Sequence, residues 1–126
     1  MTRPSSDKPI TVLIVEDEVL LRMHAADVLE DAGYSVIQAE DADQAVAILE
    51  ARTDIAILMT DIEMPGSMDG VKLAHAVRNR WPPVKIVVVS GRVGQEQFVL
   101  PDGSLLFGKP FDADKIVTEL RSLLAA

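Results

Sequence analysis

The sequence contains no cysteine, has more acidic than basic residues, and has no long apolar run. The absence of cysteine excludes disulfides, thiolate metal sites and thiol nucleophiles. With 12 Lys and Arg against 20 Asp and Glu, the net charge of −8 argues against a nucleic-acid partner, which would need a basic surface. Because no apolar run reaches the length of a membrane span, we expect no membrane partner either.

The length of 126 residues fits one domain. Residues 1–8 are polar and contain proline and serine, so we expect a flexible N-terminal tail followed by a single domain over residues 9–126. This start lacks the apolar core of a secretory signal, which favours a cytoplasmic location.

Apolar runs alternate with helical patterns along the domain. Short continuous apolar segments predict buried strands over Ile10–Val15, Ser35–Ala39, Ile55–Thr60, Val84–Val89 and Ser104–Phe107. Amphipathic spacing predicts helices over Glu18–Asp31, Ala42–Ala51, Val71–Arg80 and Asp112–Leu124, whereas Val93–Leu100 has room for only one or two turns. The alternation predicts an α/β fold of the flavodoxin-like type: a doubly wound (βα)5 parallel sheet in strand order 2-1-3-4-5.

Polar residues stand where four of these strands end. Glu16 and Asp17 follow the first strand, Asp61 follows the third, Ser90 follows the fourth, and Lys109 comes shortly after the fifth. Because the carboxyl ends of parallel strands share one edge of the sheet, these side chains should converge there.

Such a group has a definite electrostatic requirement. Three clustered carboxylates repel one another unless cations neutralise them. Lys109 supplies one positive charge, and Mg²⁺, a hard cation that prefers oxygen ligands, is the expected second. The same charges suit an incoming phosphoryl group. Asp61 can then act as a nucleophile and form an aspartyl phosphate, while the Ser90 hydroxyl and backbone N–H groups bind the phosphoryl oxygens.

Four motifs in chain order carry a resemblance to a known family. They are Val15-Glu16-Asp17, Asp61-x-x-Met64-Pro65 with Met68-Asp69-Gly70, Val89-Ser90-Gly91, and Lys109-Pro110-Phe111. Each motif alone is weak, but four at the spacing of five strands are specific. The sequence resembles the receiver domain of two-component response regulators, the CheY-like family, over about residues 9–126.

The resemblance implies roles for the matching residues. It implies that Asp61 is the phosphoacceptor. It also implies that the phosphoryl group is contacted by Ser90, Gly91, Lys109 and Ile62. It gives as Mg²⁺ ligands Asp17, Asp61 and the backbone carbonyl of Glu63, with Glu16 acting largely through water. The Lys–Pro bond is cis in the family, so the resemblance also implies a cis bond between Lys109 and Pro110.

The sequence departs from the family pattern at several positions. Ser67 is an extra residue in the loop after Asp61, and Leu106 stands where the family usually has an aromatic switch residue, with Phe107 next to it. Successive strand residues point to opposite faces. We therefore expect Phe107 in the core and Leu106 on the switch side with Ser90, followed by a reordering of Val93–Leu100 on activation instead of an aromatic rotation.

The leading interpretation is a single-domain response regulator, a phosphoacceptor switch and not an enzyme with turnover. Its phosphodonor would be a sensor histidine kinase or a histidine phosphotransfer protein, and its output a contact with an unknown downstream protein, onward phosphotransfer or a phosphate sink. The alternatives are a receiver fragment of a hybrid histidine kinase, a phosphohydrolase that forms an aspartyl phosphate, a flavodoxin-like nucleotide carrier, and a degenerate receiver. Glu63 stands where a dehalogenase-type phosphohydrolase would have a second Asp, and Glu16–Val19 lacks the phosphate loop of a nucleotide carrier.

Overall fold

The structure of the protein is a computed structural model that describes residues 9–64, 66, 68–91, 99–109 and 112–125. The strands are β1 Thr11–Val15, β2 Ser35–Ala39, β3 Ile55–Asp61, β4 Lys85–Ser90 and β5 Leu105–Gly108. The helices in these ranges are α1 Val19–Asp31, α2 Ala42–Ala51, α3 Gly70–Arg80 and α4 Ala113–Ala125. All strand pairs are parallel and the sheet order is β2-β1-β3-β4-β5, so the predicted fold class and strand order are confirmed.

The sheet is covered by helices on both faces. Every residue of β1 is buried, whereas the edge strand β5 alternates between half-buried and exposed positions and the edge strand β2 is mostly half-buried. Along β1 the side chains divide between two cores: Leu13 and Val15 join the cluster formed with α2 and α3, and Val12 and Ile14 join the cluster formed with α1 and α4. This alternation explains why the central strands read as continuous apolar runs.

Most helix starts have an acidic cap. The Asp41 carboxylate accepts a hydrogen bond from the Gln44 N–H at 2.9 Å, and the Asp69 carboxylate accepts one from the Lys72 N–H at 2.9 Å. These side chains satisfy N–H groups that the first turn leaves without partners. Helix α1 differs, because Glu18 makes no side-chain cap.

The predicted ends of the elements need small corrections. The third strand extends to Asp61 and the fourth to Ser90, so both residues belong to strands and not to the loops that follow. The fifth strand is Leu105–Gly108, one residue later than predicted. The predicted tail 1–8, most of the short segment Val93–Leu100, and Pro110 with its cis bond lie outside the described residues.

The two neighbouring residues of β5 lie on opposite faces. Phe107 packs against the core formed with α1 and α4. Leu106 pairs with Val88 on the other face and is 39% exposed.

None of the described helices combines the length and the apolar character needed to cross a bilayer.

Candidate phosphoacceptor and metal site

Asp61 ends the central strand β3 and is buried, with 4% of its surface exposed. Its Oδ2 accepts a hydrogen bond from Lys109 Nζ at 2.8 Å. Within the described part of the chain, Oδ1 has no hydrogen-bond partner. A buried carboxylate oxygen without a partner costs free energy, and such an atom is suited to a ligand.

Strand register brings the other groups to Asp61. Val15 of β1 pairs with Thr60 of β3, so Glu16 and Asp17 follow β1 at the level of Asp61. Asp61 pairs with Val89, which puts Ser90 one residue further along β4. The Lys109 N–H donates to the Ser90 carbonyl at 2.9 Å, and this bond holds the backbone of Lys109 beside the end of β4.

Glu16 is the second buried acid of the site. Its Oε1 accepts from Lys109 Nζ at 3.2 Å, and its Oε2 accepts from the Glu18 N–H at 3.0 Å. The Arg22 guanidinium donates to the Glu16 backbone carbonyl at 2.7 Å. Burial, with repulsion from Asp61 as a smaller cause, raises the pKa of Glu16 to about 7.

The pKa shifts of the central pair follow from burial and charge. Burial raises the pKa of Asp61, and the hydrogen bond and charge of Lys109 offset only part of that rise. For Lys109, burial lowers the pKa, but the hydrogen bond to Asp61 and the charges of Asp61 and Glu16 outweigh it, so the pKa lies above its ordinary value. One ammonium therefore does not fully stabilise two buried carboxylates.

The acidic pocket can hold a metal ion. One carboxylate oxygen from each of Glu16, Asp17 and Asp61 lies within 4.8 Å of the others. Asp17 is exposed while the other two are buried, so the group opens to solvent on one side. The unpartnered Oδ1 of Asp61 is the observation that fits a cation here, because it lies in an all-oxygen group of net negative charge.

Glu63 has a side-chain arrangement that the sequence did not indicate. Its Oε2 accepts from Ser90 Oγ at 2.8 Å and its Oε1 accepts from the Gly91 N–H at 3.0 Å. The metal-ligand prediction for this residue concerned its backbone carbonyl, and its side chain was expected at the loop position through which attacking water or the donor must pass. An acid two residues after Asp61 was visible in the sequence, but its direction toward β4 depends on tertiary structure.

The loop after Asp61 is held tightly against helix α3. The Ile62 N–H donates to Val89 O, and the Gly70 N–H donates to Ile62 O, both at 3.0 Å. A Cβ at Gly70 would overlap the backbone oxygen of Asp61 and lie 2.7 Å from Ile62 Cα. Glycine is therefore required at this position because of the close approach of two backbones.

The structure thus brings together most of the predicted site residues. Glu16, Asp17, Asp61 and Lys109 form one group. Ser90 and Gly91 lie beside it and are joined to Glu63. The predicted switch residues Leu106 and Phe107 lie on the edge strand β5, which ends just before Lys109, and they lie on opposite faces of the sheet. The contribution of Arg22 was missed, because nothing in its sequence position indicates a contact with the Glu16 carbonyl.

A family model described as the response regulator receiver domain matches residues 12–121. The chain therefore belongs to the response regulator receiver domain family, as the resemblance in its motifs implied.

Relatives in this family differ in length. The nitrogen assimilation regulatory protein NtrX of Azorhizobium caulinodans is 39% identical over 84% of this chain, and the sensor kinase CckA of Brucella abortus is 34% identical over 90% of it. The chain spans only 24% and 12% of these two proteins. The response regulator receiver protein CpdR of Brucella abortus is 30% identical, and the match covers 91% of this chain and 97% of CpdR.

A solved structure has the same fold. The response regulator receiver protein from Sinorhizobium medicae superposes with a TM-score of 0.84 and 29% identity, covering 94% of this chain and 97% of that one. The similarity therefore extends over nearly the whole length of both molecules.

Proposed function

We propose that this chain is a phosphoacceptor switch in which Asp61 accepts one phosphoryl group in a Mg²⁺-dependent reaction and later loses it by hydrolysis. The observation that carries the proposal is the state of the Asp61 carboxylate. It is buried, it has Lys109 on Oδ2, and its Oδ1 lies without a described donor beside two further carboxylates. This combination favours a nucleophile that works next to a cation.

The residues have separate roles in the proposed reaction. Glu16, Asp17, Asp61 and the backbone carbonyl of Glu63 would hold Mg²⁺, which when bound supplies the positive charge that lets an anionic donor approach. An Asp61 oxygen forms the bond to phosphorus as the bond from phosphorus to the donor nitrogen breaks. Lys109 stays close to the phosphoryl oxygens and balances their charge. Ser90 Oγ and the Gly91 N–H donate to the same oxygens, whereas the Ile62 N–H, which the resemblance also assigned to them, is bonded to Val89 O.

The proposed phosphodonor is a phosphohistidine on a sensor histidine kinase or a histidine phosphotransfer protein, and a partner of that kind implies a cytoplasmic location. The output would be a contact with a downstream protein, onward phosphotransfer or a phosphate sink. The likeness to CpdR over nearly its full length favours a receiver that acts by itself. The likeness to one part of CckA favours the second candidate, a receiver that belongs to a hybrid kinase. Both assign the same chemistry to Asp61.

Intact-mass measurement tests the proposal. The wild type should gain the mass of one phosphoryl group when it is incubated with Mg²⁺ and a small phosphodonor such as phosphoramidate. Asp61→Asn should gain none, and excess chelator should prevent the gain in the wild type. Equal modification of wild type and Asp61→Asn would refute the assignment, and release of phosphate so rapid that no phosphorylated wild type accumulates would favour a phosphohydrolase.

A further inference from the structure

The carboxylate of Glu63 occupies two of the donors that the proposed function assigns to the phosphoryl group, Ser90 and Gly91. Ser90 Oγ donates to Oε2 at 2.8 Å and the Gly91 N–H donates to Oε1 at 3.0 Å. A carboxylate and a phosphoryl group are both anionic acceptors that can take one hydrogen bond on each of two oxygens. Glu63 therefore stands as an internal substitute for the ligand.

The backbone makes this arrangement specific. Pairing of Asp61 with Val89 puts the start of the β3 loop beside the end of β4. The hydrogen bond from the Ile62 N–H to Val89 O, 3.0 Å long, then anchors the loop one residue before Glu63. Glu63 is half-buried, so its carboxylate lies at the boundary between the site and solvent. Because this anchor is a backbone bond, rotation of the Glu63 side chain out of the site would leave it intact.

We propose that the Glu63 carboxylate is an internal competitor of the phosphoryl group. In the unphosphorylated chain it holds Ser90 and Gly91, and modification of Asp61 requires it to move into solvent so that both donors transfer to the phosphoryl oxygens. Two anions cannot share these donors without strong repulsion. This inference rests on the proposed function, and it adds a residue that sets the threshold for phosphorylation and changes position on activation.

The competing explanation is that Glu63 stabilises the loop equally in both states. In that case its bonds to Ser90 and Gly91 would persist when a phosphoryl mimic binds, and removing the side chain would not strengthen binding of the mimic. The two explanations predict opposite results for one measurement, the affinity for beryllofluoride in saturating Mg²⁺.

The experiment compares the wild type with Glu63→Ala and Glu63→Gln, using NMR titration of the Gly91 amide and calorimetry. Competition predicts roughly tenfold tighter binding by Glu63→Ala, from loss of a like charge and release of two charge-assisted hydrogen bonds, with a smaller gain for Glu63→Gln. Glu40→Gln is the matched control, because Glu40 is an exposed acid at the end of β2, at the same edge of the sheet. Its effect should stay within about twofold, since exposed charges are screened by salt.

A double-mutant cycle with Ser90→Ala separates competition from a general charge effect. Ser90→Ala removes one of the two donors, so the gain from Glu63→Ala should shrink in that background. Mg²⁺ affinity is titrated separately for each variant, and circular dichroism confirms folding; Glu63→Gln is the fallback should Glu63→Ala unfold.

The outcomes separate this inference from the function beneath it. Tighter beryllofluoride binding by the Glu63 variants that depends on Ser90 supports competition. Unchanged or weaker binding by both Glu63 variants, with normal binding by the wild type, overturns competition and leaves the proposed function intact. If neither the wild type nor any variant binds beryllofluoride in saturating Mg²⁺, both the competition by Glu63 and the proposed function are overturned.

Discussion

Glu16, Asp61 and Lys109 form a site in which one positive charge faces two buried carboxylates. Lys109 bonds both carboxylates, yet the pKa of each acid remains raised because burial outweighs its single charge. Glu16 and Asp61 repel each other, so the protonation of one carboxylate depends on that of the other. The ionised carboxylates therefore lower the stability of the fold, and the same uncompensated charge favours binding of a cation.

The first prediction concerns stability against pH in excess chelator. The pKa of Glu16 is about 7 in the folded state, against 4.5 for an ordinary glutamate. Between these values the folded chain binds more protons than the unfolded chain, so the free energy of unfolding falls as pH rises. At 1.36 kcal/mol per pKa unit the upper limit is about 3 kcal/mol, and we expect a fall of about 1–2 kcal/mol because Lys109 and solvent share the charge.

Urea unfolding at several values between about pH 4.5 and 7 measures this fall. The control is Glu16→Gln, which keeps the shape of the side chain but does not titrate. Its free energy of unfolding should change less with pH, and the difference between the two proteins removes the contribution of groups elsewhere. A wild-type stability that rises over this range in chelator would contradict the assignment of a raised pKa to Glu16.

At the scale of elements, the junction of β3 and α3 determines where Asp61 lies. The N-terminus of α3 is capped by Asp69, and Gly70 allows its first turn to touch the backbone of Asp61 and Ile62. The N-terminus of α3 therefore packs against the start of the loop that follows Asp61 and carries Glu63.

Gly70→Ala should force these two backbones apart. The added methyl group overlaps the Asp61 carbonyl oxygen, an immobile backbone atom, so either the loop or the helix has to shift. Overpacking of this kind typically costs about 1–3 kcal/mol, and we expect weaker beryllofluoride binding as well because Asp61 moves. Urea unfolding and calorimetry measure the two effects. Lys72→Ala, at an exposed position of the same helix, should change neither by much, and a Gly70→Ala variant with wild-type stability would show that the contact is not tight.

The elements themselves were largely predictable from the sequence. Apolar runs gave every strand within about one residue, because a strand buried on both faces leaves a continuous pattern. Asp41 and Asp69 mark helix starts for a local reason, a side chain that bonds the first turn. The convergence of Glu16, Asp17, Asp61 and Lys109 also followed from sheet order alone, since topology places strand ends at one edge.

What the sequence did not reveal are contacts between groups far apart along the chain. The bonds from Ser90 and Gly91 to Glu63 depend on the register of β3 against β4 and on a rotamer. The bond from Arg22 to the Glu16 carbonyl depends on the angle of an uncapped helix. Neither has a local pattern, because the partners are selected by packing and not by spacing.

At the scale of the whole molecule, the site joins four of the strands. Groups come from the ends of β1, β3, β4 and β5, and the two cores lie on opposite faces directly behind them. A ligand that binds here contacts residues whose positions depend on the entire sheet. Binding should therefore stabilise the fold globally and not only the loops that surround the site.

The last prediction follows from that geometry. A ligand that binds only the folded state at about 100 times its dissociation constant adds about 2.7 kcal/mol to the free energy of unfolding. We expect beryllofluoride with Mg²⁺ to produce a gain of this size for the wild type in urea unfolding, and to protect the central amides of β1 and β3 from hydrogen exchange by the same free energy. Asp61→Asn, with Mg²⁺ alone as the reference for both proteins, should gain far less. Protection that rises in the loops around Ser90 while β1 and β3 stay unchanged would mean that the site is coupled only to its own rim, and that the sheet does not transmit its occupancy.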